Sequence, residues 1–256
     1  QRGCRKRAGG VMNRWKLTVE YDGSDFVGWQ RQDNGPSVQQ SLEEAVERLA
    51  GETVRVHGAG RTDAGVHALG QVAHFDIGKN LTDRAIRDGL NHHMRPARIT
   101  VLQAEAVSQD FHARVSARER GYVYRIVNRR TPLALDRGRA WQTGRPLDAE
   151  AMNEAARVLI GKHDFTTFRA SMCQANSPVK TLDVLTVVRS GDEIRITARA
   201  RSFLHHQIRN ITGTLVQVGE GRWSVERVRQ ALEARDRSKG GPTAPPDGLY
   251  FTDVVY

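Results

Sequence analysis

The order of periodic segments constrains this chain most: strand, helix, strand, strand, helix, strand, and then the same order again. Residues 15–20 read as a strand, and Val38, Leu42, Ala45, Val46 and Leu49 recur at the helical period of about 3.6 residues. Ser37 with Gln40 three residues on has the form of a capping box, and Gly51 offers a left-handed stop. Strands near 53–57 and 71–75, a helix near 82–90 and a strand near 99–106 complete the first unit. The second has a strand at 122–127, a helix capped by Asp148 and closed by Gly161, and strands at 182–188 and 193–198 about a Ser190-Gly191-Asp192 turn. Helices at 204–218 and 224–234, a glycine- and proline-rich loop over 235–248 and a strand at 249–255 follow. Each unit has the split βαβ order, so the expected fold is α+β: two ferredoxin-like (βαββαβ) halves forming one mainly antiparallel sheet with helices on one face. The expected division is a basic leader over 1–11, an N-terminal α/β subdomain over 12–110 and a C-terminal α/β subdomain over 111–256. The leader, which starts without methionine, reads as a tag, a misplaced start or a disordered arm and takes no part in the fold.

Charge then narrows the partner. Thirty-nine lysines and arginines against 29 acids give +10, and four of the positive charges are Arg2, Arg5, Lys6 and Arg7. The rest of the chain is still basic, and its arginines are clustered. Residues 111–130 hold Arg114, Arg118, Arg120, Arg125, Arg129 and Arg130 against Glu119 alone, with Tyr122 and Tyr124 interleaved; 194–219 hold Arg195, Arg199, Arg201, Arg209, His205 and His206 with no acid. Arginine interleaved with aromatics holds phosphates while bases stack, which favours RNA over a membrane surface. A solvated strand face is the plainer reading of either run by itself. No apolar run approaches the roughly 18 residues of a membrane span, and Cys4 and Cys173 make neither a disulfide framework nor a zinc spacing. A soluble protein of a reducing compartment, the cytoplasm, is expected.

The densest chemistry lies in Gly58-Ala59-Gly60-Arg61-Thr62-Asp63-Ala64-Gly65-Val66-His67. A phosphate cradle fails here. The dinucleotide fingerprint needs a glycine where Asp63 stands, and the Walker spacing from Gly60 to Gly65 continues into Val66-His67 rather than Lys-Ser/Thr. The nearest other acids in sequence are Glu52 and Asp76, so no acid–base pair of the glycosidase kind is built into the loop. On the loop alone, Asp63 is either an aspartate capping its own turn or a single carboxylate presented to a cleft.

Gly60-Arg61-Thr62-Asp63-Ala64-Gly65-Val66-His67-Ala68, with Tyr21-Asp22-Gly23 and Gly28-Trp29-Gln30, resembles the bacterial tRNA pseudouridine synthase A family. Asp110-Phe111-His112-Ala113-Arg114, Tyr122-Val123-Tyr124-Arg125-Ile126, Asp164-Phe165-Thr166-Thr167-Phe168-Arg169, the segment Phe203-Leu204-His205-His206-Gln207-Ile208-Arg209-Asn210-Ile211 and Gly248-Leu249-Tyr250 continue the match in order, over residues 14–256. The resemblance implies a cofactor-free isomerisation of uridine to pseudouridine at positions 38, 39 and 40 of the tRNA anticodon stem-loop, by a homodimer, with Asp63 as the catalytic aspartate. Attack on C1′, addition at C6 and proton removal from C2′ are all open to that carboxylate. It implies Arg209 as the ion-pair partner favouring the ionised form, and Tyr122 as the ring against the target uracil, its hydroxyl a candidate proton carrier. A uridine inside a stem must be flipped out, and Arg61 is the candidate for filling the space it leaves. Arg114, Arg118, Arg125, Arg201, His205 and His206 are the further RNA-binding candidates, on a basic catalytic cleft expected across the sheet from the helices. The sequence departs from the family pattern at Gly121, where many members carry a basic residue, and this puts a phosphate contact there in doubt.

The adjacent histidine pairs Asn91-His92-His93 and His205-His206 invite a metal reading. Adjacent residues on one helix diverge by about 100°, and no third ligand comes at a usual spacing, so no metal is expected. The alternative function is a non-catalytic RNA-binding module; a carboxylate amid phosphate contacts would gain such a module nothing.

Overall fold

The computed structural model describes residues 12–171, 173 and 175–256; the expected leader lies outside them. In chain order the elements are β1 (Asn13–Tyr21), α1 (Val38–Ala50), β2 (His57–Gly58), β3 (His67–Ile77), α2 (Asp83–His93), β4 (Ile99–Val107), β5 (Glu119–Asn128), β6 (Trp141–Thr143), α3 (Ala149–Arg157), β7 (Gly161–Asp164), β8 (Val179–Leu182), β9 (Val184–Ser190), β10 (Glu193–Ala200), α4 (Gln207–Gly219), α5 (Val225–Ala234) and β11 (Leu249–Val255). One sheet runs β4-β1-β3-β11-β5-β10-β9, with β2 on β3 and β6 on β5. Its neighbours are antiparallel except β11 with β3 and β6 with β5. The fold is α+β and mainly antiparallel. Each half carries the ferredoxin-like strand order, β4-β1-β3-β2 and β11-β5-β10-β9, fused where β11 lies parallel to β3.

The fusion accounts for one departure from the sequence reading. The strand expected at 53–57 shrinks to His57 and Gly58, which pair with His74 and Ala73 of β3, while β11 takes the same edge of β3 at His67 and Ala68. The displaced backbone is satisfied by α1 instead: Gln39 Nε2 donates to the Val56 carbonyl at 2.9 Å, and Val56 N–H donates to Glu43 Oε1 at 3.1 Å. Two further corrections concern ends. The ribbon β7–β8 and the short β6 have too few residues for a periodic signal. The helix expected from 204 begins at Gln207 because His206 adopts a left-handed φ of 62°.

The N-caps fall where expected, but α3 ends at Arg157 with Val158 as its C-cap, so Gly161 opens β7 at φ 105° rather than closing the helix. Ser37 Oγ accepts from Gln40 N–H at 3.3 Å, although the Gln40 amide turns to Glu44 rather than closing the box. Gly51 ends α1 at φ 76°, and Asp148 accepts from Glu150 and Ala151 N–H.

One register line crosses the sheet through Leu185, Ala198, Tyr122, Phe251, Ala68, Tyr21 and Ile99. Paired residues share a face, and all seven are buried. Helix α3 packs on β9 over that face, while Val188 on the other is 60% exposed. Helices α1 and α2 cover the first half and α3, α4 and α5 the second, with Phe75, Phe165, Phe168 and Tyr124 among the largest fully buried side chains.

On the other face His57, His74 and His112 cluster with ring centroids 4.6 to 5.6 Å apart, His57 stacked on His74 and His112 edge-on to His74. Burial, reinforced by His112 and His57, pushes His74 down to about 4, and His74 Nδ1 accepts from Ala113 N–H. Its folded pKa lies below the unfolded value of about 6.5, so between about pH 4 and 6.5 the unfolded chain binds more protons and stability rises with pH. The melting temperature should fall as pH drops from 7 to 5, and His74→Gln should flatten that limb; calorimetry across this range checks it.

Candidate active site

The loop between β2 and β3 is pinned before any charge is considered. Thr62 Oγ1 hydrogen-bonds Tyr21 Oη at 2.7 Å in the core, and the Thr62 carbonyl accepts from Trp29 N–H at 3.0 Å. Gln71 Nε2 donates to the Gly60 carbonyl, and Gly65 turns the chain at φ 77°, a conformation that favours glycine. His67, at the loop's end, is buried on the other face. Its Nδ1 accepts from Gly23 N–H at 3.0 Å, so its Nε2 carries the proton toward the Asp247 carbonyl at 3.2 Å, and its ring stacks on Tyr250 at 4.7 Å.

Pinned this way, Asp63 does not cap its own turn. Its side chain crosses to the second half, where Arg209 Nη1 donates to Oδ2 at 3.1 Å. Arg209 sits in the first turn of α4 and is itself held by Nε donating to the Ala244 carbonyl at 2.8 Å. His205 Nε2 lies 3.2 Å from Oδ1 and His206 Nε2 3.3 Å from Oδ2. The side chain of Asp63 is 22% exposed and that of Arg209 14%, so the pair is sheltered yet open to a ligand. Burial holds His206 below its ordinary value against the pull of Asp63, with His205 and Arg209 adding to the lowering.

Tyr122 stands on the register line of Tyr21 and Phe251, edge-on to Phe203 at 5.1 Å and Phe251 at 4.8 Å between centroids. Burial, and then the charges of Tyr21 and Asp63, push its phenol above the ordinary range, so the hydroxyl stays protonated. Arg120, two residues earlier on the same face, was not singled out by sequence. It is buried, and its guanidinium donates to the carbonyls of Ala59 (3.0 and 2.9 Å), Arg114 (2.7 Å) and Arg201. One side chain thereby joins the loop that carries Asp63, the junction and the segment before α4. No spacing signal distinguishes it from its solvated neighbours.

Asp63, Tyr122, Arg209, His205 and His206 are therefore brought together, on the helix-bearing face and between the two helix groups. The cleft does not lie across the sheet from the helices, because α4 itself supplies Arg209. Arg61, Arg114, Arg118 and Arg201 are exposed. Arg125 is not part of this group: it stands on the opposite face, bonded to Glu193 at 2.9 Å and Asp136 at 3.2 Å and lying over the Tyr250 ring. Gly121 also faces away, and a Cβ there would meet Thr252 Oγ1 at 2.5 Å and Asp253 Oδ2 at 2.7 Å, so the missing basic residue costs the cleft nothing. Among the described residues no helix is long and apolar enough to cross a membrane.

A carboxylate, a guanidinium and a protonated phenol converge between the two halves, beside the arginine-rich second one, an arrangement suited to an enzyme acting on an anionic substrate. A family model described as tRNA pseudouridine synthase matches residues 17–115 and 155–256. Proteins called tRNA pseudouridine synthase A are 62% identical in Rhodospirillum rubrum, over 96% of this chain and 88% of theirs, and 61% in Rhodospirillum centenum, over 96% and 100%. The namesake of Maricaulis maris is 57% identical over 96% and 98%. The chain belongs to the tRNA pseudouridine synthase A family, and it is an isomerase.

Proposed function

We propose that this enzyme converts uridine to pseudouridine at positions 38, 39 and 40 of the tRNA anticodon stem-loop, with Asp63 as the catalytic carboxylate. The observation that carries the reading is the convergence of Asp63 from the first half with Arg209 and Tyr122 from the second. The C1′–N1 bond breaks, the uracil turns, C1′ bonds to C5, the C5 proton leaves and N1 gains one. Atoms and electrons balance without an added reactant. Asp63 acts at the ribose or the base, and Arg209, ion-paired to it, aims it. The names of the relatives supply tRNA as the substrate class, with the exposed Arg114, Arg118 and Arg201 and the adjoining His205 and His206 as phosphate contacts; Arg125 has no place among them. A homodimer in the cytoplasm, each subunit built of two subdomains that meet near residue 111, completes the reading.

The test is pseudouridine mapped in unmodified tRNA bearing uridines at 38 to 40, without added cofactor or metal. Product at those positions supports the assignment; product elsewhere, or tight binding without product, overturns it.

Two expectations follow from the side chains beside Asp63. The Tyr122 ring packs against the uracil, and its hydroxyl, kept protonated by burial, donates a hydrogen bond rather than acting as a base. Tyr122→Phe keeps both edge-on contacts and should lower kcat by about 10²-fold with tRNA affinity unchanged; single-turnover rates at saturating enzyme measure it. Arg61 fills the space left by the flipped nucleotide, whose unstacking costs a few kcal/mol. Arg61→Ala should slow the single-turnover step, and normal binding at the parent rate would remove it from this role.

A further inference from the structure

We infer that Asp63, His205 and His206 form a site for a soft divalent cation, Zn²⁺ by its donor set, which occupies the place of the reacting uridine and inhibits the enzyme reversibly; the inhibition rests on Asp63 being the catalytic carboxylate. The carboxylate and the two ring nitrogens lie within 4.8 Å of one another, and among the described residues no other group of three does so. The three clustered histidines on the opposite face do not converge in this way.

The distances suit one ion. Zinc takes nitrogen and carboxylate oxygen at about 2.0–2.2 Å, so two ligands on a tetrahedron stand about 3.3–3.5 Å apart. His205 Nε2 stands 3.2 Å from Asp63 Oδ1 and His206 Nε2 3.3 Å from Oδ2, so each nitrogen faces its own carboxylate oxygen at about that spacing. Neither nitrogen meets the carboxylate along a hydrogen-bonding line, which among the described residues only the Arg209 guanidinium does.

The backbone explains why two adjacent histidines can act together. On a helix their rings would diverge, but both precede α4, and His206 holds a left-handed φ of 62° that a side-chain-bearing residue adopts only at a cost. That turn brings the rings to 4.0 Å between centroids, both against Asp63. The side chains of His205 and His206 are 43% and 28% exposed, which leaves a fourth position for water or a ligand atom. Arg209 would stay hydrogen-bonded to the ligating carboxylate and fix its orientation, while its charge weakens the ion's hold. The result is a reversible inhibitory site rather than a structural one. Nitrogen donors disfavour Mg²⁺, which selects oxygen.

The test titrates the full chain, free of tRNA, with Co²⁺ as the spectroscopic stand-in and with Zn²⁺ in competition against a chelating dye. One tetrahedral Co²⁺ spectrum, displaced by one equivalent of Zn²⁺, is expected. His205→Asn and His206→Asn should each weaken Zn²⁺ by about 10–100-fold or more, since even outer-shell losses reach that range. Zinc should inhibit pseudouridine formation, relieved by chelator and by excess tRNA, and each variant's own zinc-free rate is its reference. No tetrahedral spectrum, or zinc binding that survives both substitutions, overturns the site. Zinc bound through both histidines without inhibition would leave the site standing and overturn the catalytic reading of Asp63.

Discussion

Asp63→Asn should form no measurable pseudouridine while binding tRNA as the parent does. The side chain is isosteric, so the loop keeps its anchors at Tyr21, Trp29 and Gln71. What changes is the charge facing Arg209 and the ability to act as nucleophile or base. Removing a group that acts on the reacting atoms costs about 10⁴-fold or more in kcat, roughly 5.5 kcal/mol of transition-state stabilisation. The measurement is a single-turnover assay beside a binding isotherm and a melting curve for the same protein. A loss confined to affinity would show that Asp63 positions RNA and does not react.

The second large effect concerns folding as much as chemistry. Arg120 is 8% exposed and makes its hydrogen bonds to backbone carbonyls, and burial lowers its pKa. A buried charge without a carboxylate is costly, so its removal returns some desolvation energy. Against that stand four hydrogen bonds from a charged donor, each worth about 1.5–3 kcal/mol, and three carbonyls left without partners. The losses win. Arg120→Met should cost about 3 kcal/mol, a drop of about 6–12 °C in melting temperature. Arg120→Lys should recover only part of it, because one ammonium cannot span three segments. Both variants should also lose kcat at temperatures where they remain folded, since Ala59 and Arg201 flank the two sides of the site. An unchanged melting temperature in Arg120→Met would show that desolvation cancels the hydrogen bonds.

Much of this architecture was legible in the residues because local signals agreed with the global order. Ser37, Gly51, Asp148 and Gly191 each mark an end that the structure also has. The repeated segment order led directly to two ferredoxin-like halves. What could not be read was how the halves join: β11 beside β3 is a long-range choice, and it truncates β2. The position of the cleft followed the same limit. Strand parity put Tyr122, Tyr124 and Ile126 on one face, but which face the helices cover depends on tertiary packing.

At the site, Asp63 and Arg209 were singled out by the family resemblance, since the loop by itself left Asp63 open between a turn cap and a cleft carboxylate; the structure brings the two into contact. The convergence of His205 and His206 was not legible, because it depends on one left-handed residue where a helical start was expected. Arg125 and Arg120 show the complementary limit. Both belong to one arginine-rich run, yet one is spent on ion pairs across the sheet and the other on carbonyls within the core. Sequence composition counts such charges alike; alternation along β5 sends them to different faces.

The seam between the halves also sets an order of events. The strand that fuses them, β11, is translated after every other element described, and it is inserted between β3 and β5 at the centre of the sheet. A nascent chain can build each half's local hairpins and helices early, yet Asp63 and Arg209 belong to different halves until that strand arrives. The site therefore assembles only once β11 has been made, and a chain that stops short of it carries the Asp63 loop without the geometry that faces it with Arg209.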